Sequence, residues 1–166
     1  MRYAKLRSEL LAARERRQRE LERALAEIGQ TLVSLALNLS GPQKCPPGSR
    51  ALATWAEERL AERLPELRKL HETVDPLGPF VLYATAAAPL PAKQYCVAIE
   101  DAHPAARLLD LDVHAATGSV DRTTLGLSRR GCLLCDEAAV DCIRRRSHDP
   151  LLVIRRTHEL IAAFAG

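Results

Sequence analysis

The chain has 166 residues, 47% of them hydrophobic and 27% charged, which suits one folded domain with its own core and excludes a disordered chain. Aromatic residues make up only 4%, and that counts against modules that read nucleic acids by stacking bases. The net charge is +3, and 20 of the 24 basic residues are arginine, all but Lys5, Lys44, Lys69 and Lys93; arginine forks match phosphate and carboxylate, so well-placed arginines point to anionic ligands.

In chain order, a first helix is expected over residues 8–28, with Leu10, Leu21, Leu25 and Ile28 at helical spacing. Arg14 and Arg17 fall in that apolar stripe, whereas Arg16, Arg19 and Arg23 lie opposite. An arginine on the buried side needs an anion or a carboxylate. A strand over 30–39 leads into the loop Ser40-Gly41-Pro42-Gln43-Lys44. That loop offers backbone N–H groups, a flexible glycine and a lysine to a phosphate, although the P-loop spacing is missing. Ser49 is placed to cap a second helix ending near residue 64, before Pro65. A loop over 72–79 then precedes strands over 80–87, 95–100 and 107–115, and a turn at Thr117-Gly118 returns a short strand over 119–124. Helices over 133–146 and 150–164 close the chain, the latter with Asp149 as N-cap and Pro150 at its first position. This order predicts a single α+β domain, with a mixed or antiparallel sheet of about five strands and helices packed on it.

Two segments carry the chemistry. In HPAARLLDLDV (103–113), Asp110 and Asp112 share one face of a strand, opposite Leu109, Leu111 and Val113. Adjacent carboxylates repel unless a cation or a shared proton sits between them, and Mg²⁺ held with substrate phosphates is the usual resolution. In RRGCLLCDEAAVDCIRRRSH (129–148), Cys132, Cys135, Cys142 and His148 are spaced so that all four could converge on Zn²⁺, with Cys135 and Cys142 expected on one helix face. The other reading of these cysteines is a packed apolar cluster. Five cysteines are an odd number, and three crowd into residues 132–142, unlike a secreted disulfide framework. The first twenty residues are charged throughout, and the apolar run 32–37 is far too short to span a bilayer. A cytoplasmic protein is expected, without membrane or nucleic-acid partners.

Together, LLAARERRQ (10–18), SGPQK (40–44), HPAARLLDLDV (103–113) and RRGCLLCDEAAVDCIRRRSH (129–148) resemble the citrate lyase holo-acyl-carrier-protein synthases, the apo-citrate lyase phosphoribosyl-dephospho-CoA transferases. Ala106 stands where family members can carry glycine before the arginine. The resemblance implies transfer of phosphoribosyl-dephospho-CoA from triphosphoribosyl-dephospho-CoA to a serine of the apo acyl-carrier (γ) subunit of citrate lyase, with release of pyrophosphate. For that chemistry Asp110 and Asp112 are the expected Mg²⁺ ligands and reactive carboxylates, one of them also a candidate base. Arg14, Arg17, Lys44, Arg107, Arg129 and Arg130 are the expected phosphate contacts. A nucleotidyltransferase-like architecture is implied too, without the Gly-Ser signature that normally precedes the acidic pair there. The alternative from another class is a non-enzymatic, zinc-stabilised nucleic-acid-binding module.

Overall fold

A computed structural model describes residues 2–165, with side chains described over 5–164. Helix α1 (Arg2–Ile28) leads into β1 (Thr31–Leu37), followed by α2 (Ser49–Arg63), β2 (Arg68–Asp75) and β3 (Gly78–Thr85). Helix α3 (Pro89–Asp101) and a 3-10 turn (Pro104–Leu108) precede β4 (Leu109–Ala115) and the short β5 (Gly118–Val120). The chain ends with α4 (Ala139–Arg145) and α5 (Pro150–Ala165). All strand pairs are antiparallel, in the order β2-β3-β1-β4-β5. The expected α+β architecture with an antiparallel sheet of five strands is therefore observed. Among the described residues no helix is long and apolar enough to cross a membrane.

Strand alternation sorts the core into two layers. Val33, Leu35 and Leu37 of β1 and Leu109, Leu111 and Val113 of β4 face one side and are buried with Leu52, Ala56, Leu60, Cys96, Ile99 and Ile161 of α2, α3 and α5. The other side carries a smaller cluster, in which Leu21, Ala24, Leu25 and Ile28 of α1 meet Leu32, Phe80, Leu82 and Ala84. On this second face α1 lies over β2 and β3.

Several elements differ from expectation. Residues 95–100 are helical, not a strand, because Pro89 starts α3 and Ala92, Cys96 and Ile99 recur at helical spacing. The run Val97-Ala98-Ile99 reads locally as β, but burial of that stripe decides. The strand missed in the sequence is β2, a polar edge strand with a register shift between Lys69 and His71 that blurs the period-2 signal. Most of the loop expected over 72–79 is the end of β2 and its tight turn into β3, where the Leu77 N–H donates to Asp75 Oδ1 at 2.8 Å. Pro104 makes residues 104–108 a 3-10 turn, so Arg107 precedes the strand. The helix expected over 133–146 shrinks to α4, leaving Cys132 and Cys135 in a loop. Gly48, at φ 90°, is the N-cap of α2 in place of Ser49. Asp149 does cap α5, accepting the Leu151 N–H at 2.9 Å.

Gly78, the first residue of β3, packs closely against the 40–47 loop. Its φ is +100°, and a Cβ there would stand 2.6 Å from the Lys44 carbonyl oxygen, a backbone atom that cannot swing aside. Gly78→Ala is expected to cost about 2 kcal/mol or more through positive-φ strain and this clash. Urea or thermal unfolding checks it, and a midpoint equal to that of the wild type refutes this account of the turn.

Candidate active site

Because Leu109, Leu111 and Val113 are committed to the core, Asp110, Asp112 and His114 must emerge on the opposite face of β4. The register sets Asp110 beside Ala36 and Asp112 beside Ser34. These small side chains leave an open floor next to the acids, whose side chains are 45% and 53% exposed. The acidic pair expected from the sequence thus stands together on an accessible sheet face.

Strand β5 reaches only Val113–Ala115, so the outer backbone groups of Leu109 and Leu111 need other partners. Helix α3 and the loop before α4 supply them. Lys93 Nζ donates to the Leu111 carbonyl at 2.7 Å, the Leu111 N–H donates to Glu100 Oε1 at 3.0 Å, and Arg130 donates to the Leu109 carbonyl at 2.7 Å. The same two cations stand beside the acids, Lys93 at 3.7 Å from Asp112 and Arg130 at 3.7 Å from Asp110. Burial and the charge of Asp112 push the Asp110 carboxyl above the ordinary aspartate range, against the pull of Arg130 and Lys93. Burial also lowers His114, whose ring is hydrogen-bonded to Ser34 Oγ (3.2 Å) and Ser119 Oγ (3.1 Å).

Beyond the outer edge of β4 lies a cavity of about 1020 Å³ whose lining includes Gly41, Arg107, Arg122, Arg129, Arg130 and Arg146. Its polar hub is Glu100, 1% exposed, which pairs with Arg130 and with Arg122 at 3.3 Å. Burial pushes this carboxyl up, while Arg130, the Leu111 N–H, Lys93 and Arg122 hold it down by less. Arg107 donates to the Gly131 and Cys132 carbonyls at 3.2 and 2.8 Å. Among the described residues the Arg129 and Arg146 side chains make no ion pair or hydrogen bond, so their forks are free for an anion.

The arginines and lysine expected at phosphate form two groups. Arg107, Arg129 and Arg130 line the cavity, whereas Arg14, Arg17 and Lys44 gather near the β2–β3 turn. Arg17 is held by a carboxylate, donating to both oxygens of Asp75 at 2.9 and 2.7 Å and to the Gly78 carbonyl at 2.8 Å, with its guanidinium 4.7 Å from the Phe80 ring centre. Lys44 donates to the Leu39 carbonyl, and burial and the nearby Arg14 charge lower its pKa. Arg14 itself is exposed. Asp110, Ala36 and Phe80 are aligned across three strands, so Arg17 sits over a position about 10 Å from Asp110 on the same face. Two cavity residues, Glu100 and Arg122, and Lys93 beside Asp112 carry no signal in the sequence: Glu100 and Lys93 fall in or beside an expected strand that is a helix, and Arg122 belongs to no motif.

The Cys132, Cys135 and Cys142 sulfurs and a His148 ring nitrogen all lie within 4.8 Å of one another. Cys135 Sγ is 3.5 Å from Cys142 Sγ and 3.3 Å from His148 Nε2. The four expected residues therefore converge, although Cys135 reaches the cluster from the loop and not from the helix of Cys142. Burial raises the Cys132 thiol, but N–H donors of Leu134 and Cys135 and the neighbouring thiols bring it down to about 7. Burial and the same thiols push Cys142 up to about 12. One thiolate is favoured here and further ones are opposed by it, a conflict that a bound cation removes. This Cys₃His group can hold a metal ion.

An acidic pair thus stands beside an arginine-lined cavity whose free guanidinium forks suit anions. Residues 6–164 match the family described as apo-citrate lyase phosphoribosyl-dephospho-CoA transferase. The chain is 31% identical over 160 residues to a probable apo-citrate lyase phosphoribosyl-dephospho-CoA transferase of Vibrio cholerae serotype O1 (strain M66-2), a match covering 92% of this chain and 89% of that one. The corresponding transferase of Escherichia coli O139:H28 is 28% identical over 158 residues, covering 92% of this chain and 86% of the relative. Protein CitXG of Leuconostoc mesenteroides subsp. cremoris is 31% identical over 146 residues, which span 84% of this chain but only 31% of that protein. The chain belongs to the apo-citrate lyase phosphoribosyl-dephospho-CoA transferase family. This places it among transferases, and the non-enzymatic alternative gives way.

Proposed function

We propose that the protein transfers phosphoribosyl-dephospho-CoA from triphosphoribosyl-dephospho-CoA to a serine of the apo acyl-carrier (γ) subunit of citrate lyase. The observation that carries this reading is the family match over residues 6–164. The exposed carboxylates and the free arginine forks agree with it. In the reaction the serine oxygen attacks the α-phosphorus, the bond from that phosphorus to the departing pyrophosphate breaks, and a phosphodiester remains. The serine proton needs an acceptor, and one carboxylate of the pair can serve, Asp110 being the one whose carboxyl burial pushes up. Arg129 and Arg146 meet the triphosphate, and Arg107, Arg122 and Arg130 set the positive field of the cavity. The chemistry is that of a nucleotidyltransferase-type displacement, carried out in the cytoplasm.

Asp110 and Asp112 also fit Mg²⁺. They stand side by side, Asp112 exposed and Asp110 half-buried, and their neighbouring cations are 3.7 Å away, beyond hydrogen-bonding distance, so oxygen lone pairs remain available. Bound there, Mg²⁺ would neutralise charge developing on the phosphates. Zn²⁺ is the proposed occupant of the Cys₃His group. Mass spectrometry of apo carrier incubated with the protein, Mg²⁺ and the triphosphorylated donor tests the function. The expected result is a carrier heavier by one phosphoribosyl-dephospho-CoA on serine, with one pyrophosphate formed per transfer. An unmodified carrier in the presence of folded protein, donor and metal overturns it.

A further inference from the structure

The segment between β5 and α4 carries Arg122, Arg129 and Arg130 of the cavity wall, yet its apolar anchorage is slight, with Leu133 packed against the core and Cys132 buried. Among the described residues its only ladder is the isolated bridge between Gly131 and Ala138, supported by bonds from the Cys132 N–H to the Glu137 carbonyl and from the Ala139 N–H to the Arg130 carbonyl. Leu127 and Leu134 in this segment and Val140 and Ile143 of α4 are exposed, Ile143 at 76%, and Leu127 and Ile143 border the open cavity. Among the described residues helix α4 has no substantial packing partner in the other helices and strands. What gathers the segment is the cluster of Cys132, Cys135, Cys142 and His148, which ties the loop, α4 and the turn before α5 to one point.

The donor set and spacing suit Zn²⁺. A tetrahedral ion with Zn–S near 2.3 Å and Zn–N near 2.0 Å sets its ligand atoms roughly 3.5–3.8 Å apart, close to the 3.5 and 3.3 Å seen from Cys135. Four protein ligands close the coordination sphere, which marks a structural site and not a catalytic one. The Leu134 N–H points at Cys132 Sγ from 3.5 Å, the outer-sphere contact a thiolate ligand wants. Cys132 directly follows Arg129, Arg130 and Gly131, and the Gly131 and Cys132 carbonyls are the ones that hold Arg107. Fixing Cys132 therefore fixes three arginines of the cavity wall.

We propose that Cys132, Cys135, Cys142 and His148 bind one structural Zn²⁺ whose task is to hold Arg107, Arg129 and Arg130 in place as an anion-binding wall. The wall's role toward the donor rests on the transferase reading above, whereas the metal site and its effect on anion binding can be tested apart from it. Protein purified without chelator should contain one zinc per chain by elemental analysis. After removal with phenanthroline, Co²⁺ should bind at one equivalent with the visible bands of a tetrahedral site and a thiolate charge-transfer band. Cys135→Ser should lose that band or bind Co²⁺ far more weakly. Calorimetry with inorganic tripolyphosphate as probe should show affinity falling about tenfold or more on zinc removal, the loss of a charge-assisted hydrogen bond, and returning with Zn²⁺. Absence of zinc together with absence of the Co²⁺ spectrum in folded protein overturns the site. One zinc per chain with tripolyphosphate affinity indifferent to its removal overturns the role of the wall. An unmodified carrier in the mass-spectrometric assay, with both metal results as expected, refutes the transferase reading alone.

Discussion

Asp110→Asn and Asp112→Asn should each slow transfer of the prosthetic group by roughly a hundredfold or more, since each removes a charge that binds metal or accepts the serine proton. Their effects on stability should differ. Ionised Asp110 is disfavoured by burial and by Asp112, and its cation Arg130 keeps Glu100, so Asp110→Asn should melt at or above the wild-type temperature. Lys93 is only 4% exposed and is otherwise bonded to one carbonyl. Asp112→Asn takes a negative charge from beside this ammonium and should melt somewhat lower. Two folded variants that transfer the group at near wild-type rates would falsify the acidic pair as the reactive centre.

The acidic pair was legible because strand alternation is a local rule. Once Leu109, Leu111 and Val113 are assigned inward, Asp110 and Asp112 have only one side left. The convergence of the Cys₃His group was legible for another reason: four ligand-type residues within 132–148 can converge whether or not a helix connects them. The wrong local structure around Cys135 thus did no harm to the site. The sharing out of the arginines was not legible. Arg17 and Asp75 are 58 residues apart in sequence, and no periodicity reveals that this carboxylate meets that guanidinium. Glu100 stayed hidden for a similar reason. A strand over 95–100 would have turned its side chain by alternation, whereas α3 lays it along the free edge of β4, against Leu111 and the cavity arginines. The stripe of Ala92, Cys96 and Ile99 was readable, but the β-branched residues at 97 and 99 obscured it.

Removing Arg130 should produce the largest loss of stability of any change in the cavity. Glu100 is 1% exposed, and Arg130 is one of only two arginines that neutralise it. Arg130→Met keeps the aliphatic stem but leaves the carboxylate with Arg122 and the Leu111 N–H, a buried charge short of a partner. Breaking such a pair costs about 3 kcal/mol or more, roughly 6–12 °C in melting temperature for a chain of this size. The pH dependence identifies the cause. Burial already raises the Glu100 pKa in the wild type, and loss of Arg130 raises it further. The folded variant then holds a proton that the unfolded chain releases above 4.5, the ordinary glutamate value, so its stability declines as pH rises from there toward the raised pKa. The deficit against wild type should therefore be greatest near neutrality and shrink as the pH approaches 5. Adding Glu100→Gln should recover much of the loss at pH 7, because the amide can still accept the Leu111 N–H without carrying a charge. If Arg130→Met melts with the wild type at pH 7 and the difference between them is flat with pH, Glu100 is not an ionised partner of Arg130, and the cavity wall must be organised by something else.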